Sequence, residues 1–330
     1  MRTLVETLKL RGNPFEHYTA ETEPNIVSYA VRPPYLQAIS DRVRGLTSFI
    51  LFGDRGAGKS ATRLTVYGEV WKNIAGAAFG GPHPFAINLT DYSSIQTAFK
   101  TGKLTERELV GIVAFCVVEQ ILVWLSSLEE GDRNIFIEGL DEGERTLALA
   151  LVKGFYLTVP EMDREISTTD ALRLLNSAWM TKSAIWAGKR WDALSKILAG
   201  VVAALSKKTL NDSVDISGPA EALLKSLTGD APNAPRAILS KLVEFVKSFG
   251  FSGVAVLVDK VDETPATSNS SEATTKLIHP LLSHVQLLEI PNFSWVLFLW
   301  SKVWTTFSLT NMPYALISSR TPTSLGMARG

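Results

Sequence analysis

Residues Gly53-Asp54-Arg55-Gly56-Ala57-Gly58-Lys59-Ser60 meet every fixed position of the pattern G-x-x-x-x-G-K-[ST]. The chemistry of that spacing is phosphate binding. Glycines let the backbone turn tightly enough for successive N–H groups to converge on one anion, and a helix starting at the loop adds its positive end. Lys59 is then placed for the β- and γ-phosphates of a nucleotide and the Ser60 hydroxyl for Mg²⁺, with contacts expected from Gly53 through Ala61. About 200 residues later, Val256-Leu257-Val258-Asp259-Lys260-Val261-Asp262-Glu263 is an apolar run tipped by acids. Asp259 is expected on the Mg²⁺ side of the site. Asp262 or Glu263 is expected at the attacking water, because one carboxylate cannot face both the metal and the γ-phosphate. Residue type alone leaves the choice between those two open.

Such a site needs strands that end at the loop and at the acids. Thr47 to Phe52 reads as a short buried strand before the loop, and Ser60 to Trp71 as the helix after it. Phe85 to Leu89 and Gly253 to Asp259 read as further strands. Asp91, just after the former, is expected either behind Mg²⁺ or as a helix cap. Trp295 to Leu299 reads as another strand, with Ser301 at its tip facing the γ-phosphate and Asn292 at its other end. Tyr314 to Ile317 is the expected fifth strand, which puts Arg320 at the sheet edge to sense nucleotide in its own subunit or in trans. The tail after it reads as no helical lid. The fold class is therefore α/β: a phosphate-loop NTPase core with a mostly parallel sheet. Ahead of it, a helix from Pro33 to Gly45 carries Leu36, Ile39 and Val43 on one face, with Phe15 or Tyr35 to stack on adenine or simply to pack.

Between the two motifs the chain reads as helical. The segments are 1–45 (lead-in), 46–100 (core, first part), 101–250 (helical insertion) and 251–330 (core, second part). Thr105 and Glu108 have the spacing of a capping box. Leu109 to Leu125 is almost wholly apolar but spans only roughly 25 Å as a helix, short of a bilayer. Glu119 and Gln120 interrupt it, which points to a buried core helix rather than a membrane span. Further helices are expected over Thr146 to Tyr156, Thr168 to Trp179 (capped by Thr169 or Asp170), Ala184 to Leu205 and Ala237 to Phe249. Gly218-Pro219 reads as a loop, and Pro265 to Ser271 as a mobile one. A helix at 273–277 is expected to stop at His279-Pro280. Trp186 and Trp191, among Lys182, Lys189, Arg190, Lys196, Lys207 and Lys208, fit either nucleic-acid contact or a packed helix with a solvated face.

The 33 basic and 33 acidic residues balance, so no global field draws in nucleic acid or anionic lipid. The single cysteine, Cys116, excludes an internal disulfide and a cysteine-based zinc site, and suits a reducing, cytoplasmic setting. The first residues lack the apolar run of a signal peptide.

On GDRGAGKS and VLVDKVDE together, the chain resembles the additional-strand P-loop ATPases, the group that includes AAA+ proteins and the STAND and KAP families. The run NPF near the start and PLLSHVQLLEIPNFSWVLFLW near the end are similar to bacterial ATPases of this kind, at lower specificity. The resemblance covers residues 10–100 and 250–320. It implies Mg-dependent binding and hydrolysis of ATP, with Asp259 as the metal-side acid and Asp262, beside Glu263, as the hydrolytic one. It also implies a conformational or assembly switch that works as a homo-oligomer or on a protein partner, in bacterial defence or signalling. A DNA-associated loader, a non-catalytic ATP-binding scaffold and a kinase-like phosphoryl transferase are the rival readings. The long insertion and the lack of a lid and winged helix depart from the family pattern.

Overall fold

The computed structural model describes residues 20, 32–72, 83–179, 199–203, 217–229 and 231–309. The expected fifth strand, Arg320, Phe15 and the basic Trp-containing stretch around Trp186 and Trp191 lie outside the described residues.

The chain enters through α1 (Leu36–Arg44), whose Leu36, Ile39 and Val43 are buried as their spacing requires. Strand β1 (Phe49–Gly53), the glycine loop and α2 (Lys59–Lys72) follow in order. Strand β2 (Pro84–Leu89) leads through a 3₁₀ turn and a short helix α3 (Gln96–Lys100) to α4 (Glu106–Ser127). The Thr105–Glu108 capping box forms at the start of α4, the Thr105 N–H donating to Glu108 Oε2 at 2.8 Å. Asp91 closes a local turn, accepting from the Ser93 N–H and hydroxyl at 2.9 Å each, and does not cap the 3₁₀ turn that follows.

Several helix limits differ from expectation, each for a local reason. The acidic stretch after α4 folds into α5 (Glu130–Gly139). Helix α6 (Glu142–Leu151) starts four residues early because Asp141 and Glu144 make a second capping box, and it relaxes into a π-helical turn over Val152–Tyr156. Helix α7 (Glu161–Trp179) starts just after Pro160, with Glu161 and Asp163 favouring its positive end. Thr168 is thus mid-helix, and Asp170 pairs with Arg173 instead of capping. Gly218-Pro219 is no loop but the first turn of α8 (Ser217–Thr228), where proline's missing N–H costs nothing. Helix α9 (Ala234–Lys247) returns the chain to β3 (Gly253–Val258). Helix α10 (Ser271–Leu282) continues through Pro280, whose lost backbone bond falls in the last turn. The short α11 (Val285–Leu288), β4 (Phe293–Trp300) and α12 (Ser301–Leu309) complete the described chain.

The four strands form one all-parallel sheet in the order β1-β4-β3-β2. Every residue of β3, and all but the last of β4, is buried. Since successive side chains point to opposite faces, both faces of these two strands are covered. Helix α9 packs on β3, and α2 and α4 on β2. Trp71, Phe85, Trp124 and Phe251 join α2, β2 and α4 edge to face, with ring centres 4.8–5.4 Å apart along the chain of contacts. Among the described residues one helix, α4, is long and apolar enough to cross a membrane, and 78% of its most apolar window is buried inside the fold.

Glu119 sits in the middle of that helix, 4% exposed. Its carboxylate accepts from the Ser167 and Thr168 hydroxyls of α7, each at 2.8 Å, and Thr168 meets the Tyr156 hydroxyl at 3.2 Å. Burial pushes the Glu119 pKa up to about 7; the two hydroxyl bonds oppose that rise and the Asp170 charge adds to it. Folded Glu119 therefore binds its proton more tightly than the unfolded chain does. Its contribution to stability is full below the ordinary value of 4.5 and is lost as pH rises to about 7. Glu119→Gln, which carries no charge to bury, should gain on the wild type across that window by up to about 3 kcal/mol. Urea unfolding of both proteins at about pH 5 and about pH 8 measures it, and an equal gap at the two values would show that Glu119 does not titrate there.

Candidate functional site

The glycine loop joins the C-terminal end of β1 to the first turn of α2. Gly56 and Gly58 have φ of 77° and 79°, and an added Cβ at either would touch nothing within 4 Å. Left-handed backbone, not lack of room, is what demands glycine there. Lys59 Nζ donates to the carbonyls of Gly53 and Asp54 at 3.0 and 3.1 Å, so its ammonium closes the loop from inside. The Ala57 N–H bonds Asp54 O at 3.1 Å, which tightens the turn further. Ser60 and Ala61, half-buried, open the helix. Ser301, at the start of α12, donates its hydroxyl to Asp54 Oδ1. Asn292 lies at the far end of β4, where its carbonyl takes the Val254 N–H.

At the tip of β3 the acids divide. Asp259 is 2% exposed, and its Oδ2 accepts from Arg63 Nε of α2 at 3.0 Å. Arg63 is fully buried and also donates to Asn88 Oδ1 at 2.6 Å. The Tyr92 hydroxyl lies 3.0 Å from both Leu89 O and Asp259 O, so one proton is shared between the ends of β2 and β3. Burial first, then the neighbouring Asp259 carboxylate, holds the Tyr92 phenol well above its usual range.

Lys260, with φ 59°, turns the chain so that Asp262 faces the glycine loop. Asp262 Oδ2 accepts from Arg55 Nε at 3.3 Å and Arg55 Nη2 at 3.1 Å. The same Nη2 donates to Asn269 Oδ1 at 2.6 Å, and the guanidinium carbon lies 4.3 Å from the centre of the Trp300 ring. Lys302 Nζ lies 4.9 Å from that ring. The stretch from 262 to 271, expected to be mobile after Thr264, is a hydrogen-bonded turn: Asn269 N–H to Asp262 O at 2.9 Å and Thr267 Oγ1 to Val261 O at 2.8 Å close it. Glu263 is exposed on its outer side.

The fold thus brings Asp262, Asp54, Arg55, Lys59 and Ser301 to one end of the sheet. Asp259 stands behind them, joined to the phosphate-loop helix through Arg63. Among the described residues no three His, Cys, Asp or Glu side chains gather as a metal cage. Sequence reasoning did not single out Arg63, Trp300, Asn269 or the side chain of Arg55. Arg63 did leave a signal: it stands alone among small and apolar residues in A-T-R-L-T-V-Y-G, where a buried cation needs an acid. Comparison of the chain with protein-family models, curated proteins and solved structures gave no match.

Removing one member of a buried ion pair leaves the other charge without compensation, at a cost of about 3–5 kcal/mol. Arg63→Met should therefore destabilise the fold by that order, and Arg63→Met with Asp259→Asn should cost less than Arg63→Met alone. Urea midpoints of the two variants test this, and a double variant no better than the single would mean that Arg63 acts through Asn88 and packing instead.

Proposed function

We propose that this chain is a Mg-dependent ATPase of the additional-strand P-loop kind. The observation that carries the reading is the glycine loop between β1 and α2, with Lys59 inside it and Asp262 delivered to its mouth from the end of β3. The sheet order supports the finer assignment, because β4 stands between the phosphate-loop strand β1 and the acid-tipped strand β3.

In this reading Lys59 exchanges the Gly53 and Asp54 carbonyls for β- and γ-phosphate oxygens. Loop N–H groups and the α2 terminus take the rest of the anion. Ser60 and Asp259 are the residues that would hold Mg²⁺, which when bound would supply charge stabilisation at the phosphate oxygens. Asp262 accepts a proton from the attacking water. The water oxygen bonds to the γ-phosphorus, the bond from that phosphorus to the β–γ bridging oxygen breaks, and ADP leaves with the electron pair. Ser301 would give up Asp54 to donate its hydroxyl proton to the γ-phosphate. Glu263 faces solvent, so Asp262 is the stronger candidate of the pair. The output, a change in conformation or in assembly with further copies or a partner, rests on the family resemblance. One observation favours a second reading, an ATP-binding switch without turnover: Asp262 is already engaged by Arg55.

Two substitutions separate binding from chemistry. Lys59→Ala should weaken Mg-ATP binding by about 100-fold or more, since a charge-assisted contact to phosphate is lost. Asp262→Asn should keep ATP bound and slow turnover by about 10²–10⁴-fold, the usual contribution of a general base. Isothermal titration and a phosphate-release assay read the two effects. Lys59→Ala with unchanged binding would overturn the site assignment.

A further inference from the structure

We infer that the Arg55 side chain is a latch on Asp262 that a γ-phosphate, and not ADP, releases. The inference rests on the nucleotide site proposed above and assigns its switch to one residue. The loop pattern uses position 55 only for its backbone, yet the residue there is an arginine whose side chain spans the site. Four contacts fix it: two bonds to Asp262, one to Asn269 and the stack on Trp300.

Three features make this contact exchangeable rather than structural. Both bonds to Asp262 converge on the same oxygen, Oδ2, so the fork does not make the stronger two-oxygen match to a carboxylate. The arginine side chain is 42% exposed at the mouth while the Asp262 side chain, 7% exposed, lies behind it, so an arriving anion meets the guanidinium first. Arg55, Lys59 and Lys302 also concentrate positive charge there, the first and third against one Trp300 ring. A terminal phosphate carries more charge than one carboxylate and presents three oxygens to a planar fork. It is the ligand that can win the guanidinium from Asp262. The β-phosphate of ADP is cradled deeper in the loop by backbone and Lys59.

The consequence for chemistry is a matter of timing. While Arg55 is on Asp262, Oδ2 is occupied by two guanidinium N–H groups and is not open to a water. Once the γ-phosphate holds Arg55, Asp262 is uncovered beside the water it must deprotonate. Asn269 loses its partner in the same step. Because Asn269 N–H is tied to Asp262 O, the turn to Ser271 and α10 feels the change. Engagement of Asp262 by Arg55 is then one half of the cycle and not a sign of an inactive site.

The test is a double-variant cycle on the full chain, titrating Mg-ADP and the non-hydrolysable Mg-AMPPNP into the wild type, Arg55→Gln, Asp262→Asn and the double variant. The wild type should prefer the analogue. Arg55→Gln should lose that preference by about tenfold or more, and Arg55→Lys, which keeps the charge without the fork, should fall between. Asp262→Asn should tighten the analogue about 3–10-fold with ADP nearly unchanged, because the competitor is gone. In the Arg55→Gln background the gain from Asp262→Asn should vanish. A general relief of charge repulsion would survive that background, so a persisting gain overturns the latch. So does an unchanged preference in Arg55→Gln. If the wild type binds neither nucleotide, the site reading itself falls and the latch with it.

Discussion

A guanidinium cannot shed its charge by losing a proton, so a fully buried Arg63 dictates what surrounds it. Its carboxylate, Asp259, must stand at the end of β3, and its second acceptor, Asn88, on β2. One side chain on the phosphate-loop helix therefore fixes that helix against two strands that come after it in the chain. Tyr92 reinforces the arrangement by bridging the last carbonyls of the same two strands. With α2 held, the glycine loop has a fixed exit, and with β3 held, the turn carrying Asp262 has a fixed start. The separation of Asp259 from Asp262 then has a physical meaning. The first acid is buried and anchored; the second is carried past it by the left-handed Lys260 to the mouth of the loop.

Strand β4 completes the site from the other side. Gly53 and Trp300 are paired in the sheet register, so the end of β4 necessarily emerges beside the glycine loop. Trp300 becomes the floor for Arg55, and Ser301 reaches Asp54 without any special loop. Parallel strands that end together, each followed by a polar residue, supply a cluster of unlike groups that no local stretch of sequence contains.

This explains which parts were legible in the sequence. The four described strands were, because short apolar runs bounded by glycine and polar residues have few other solutions, and their limits moved by one or two residues only. The start of α4 was, because a capping box is a local contact between Thr105 and Glu108. Glycine at 56 and 58 was, because it reports a backbone conformation. The start of α7 was misplaced at Thr168, since a threonine followed by an acid has the look of a cap, and only the tertiary position of Glu119 shows that the hydroxyl points into the core. Pro219 and Pro280 likewise signal helix limits in general but say nothing about which turn they occupy. Arg63, Arg55 and Asn269 act through partners about 200 residues away or on another strand, and periodicity carries no information at that range.

Glu119 and Arg63 show two ways of burying an ionisable group, and the difference bears on how the helical stretch belongs to the core. Arg63 has a counter-charge and so can stay ionised; Glu119 has hydroxyls, and burial raises its pKa instead. Both sit on helices that α7 touches, since α7 packs on α2 and on α4. The change of character at residues 101 and 250 is a change in sequence pattern, not an end of the hydrophobic core. That core runs without a break from Val43 through the sheet to Leu122, Leu151 and Leu175. Taking α4 and α9 away would expose much of β2 and β3, with α2 still packed on β2. The helices between the two motifs therefore share one hydrophobic core with the sheet they cover.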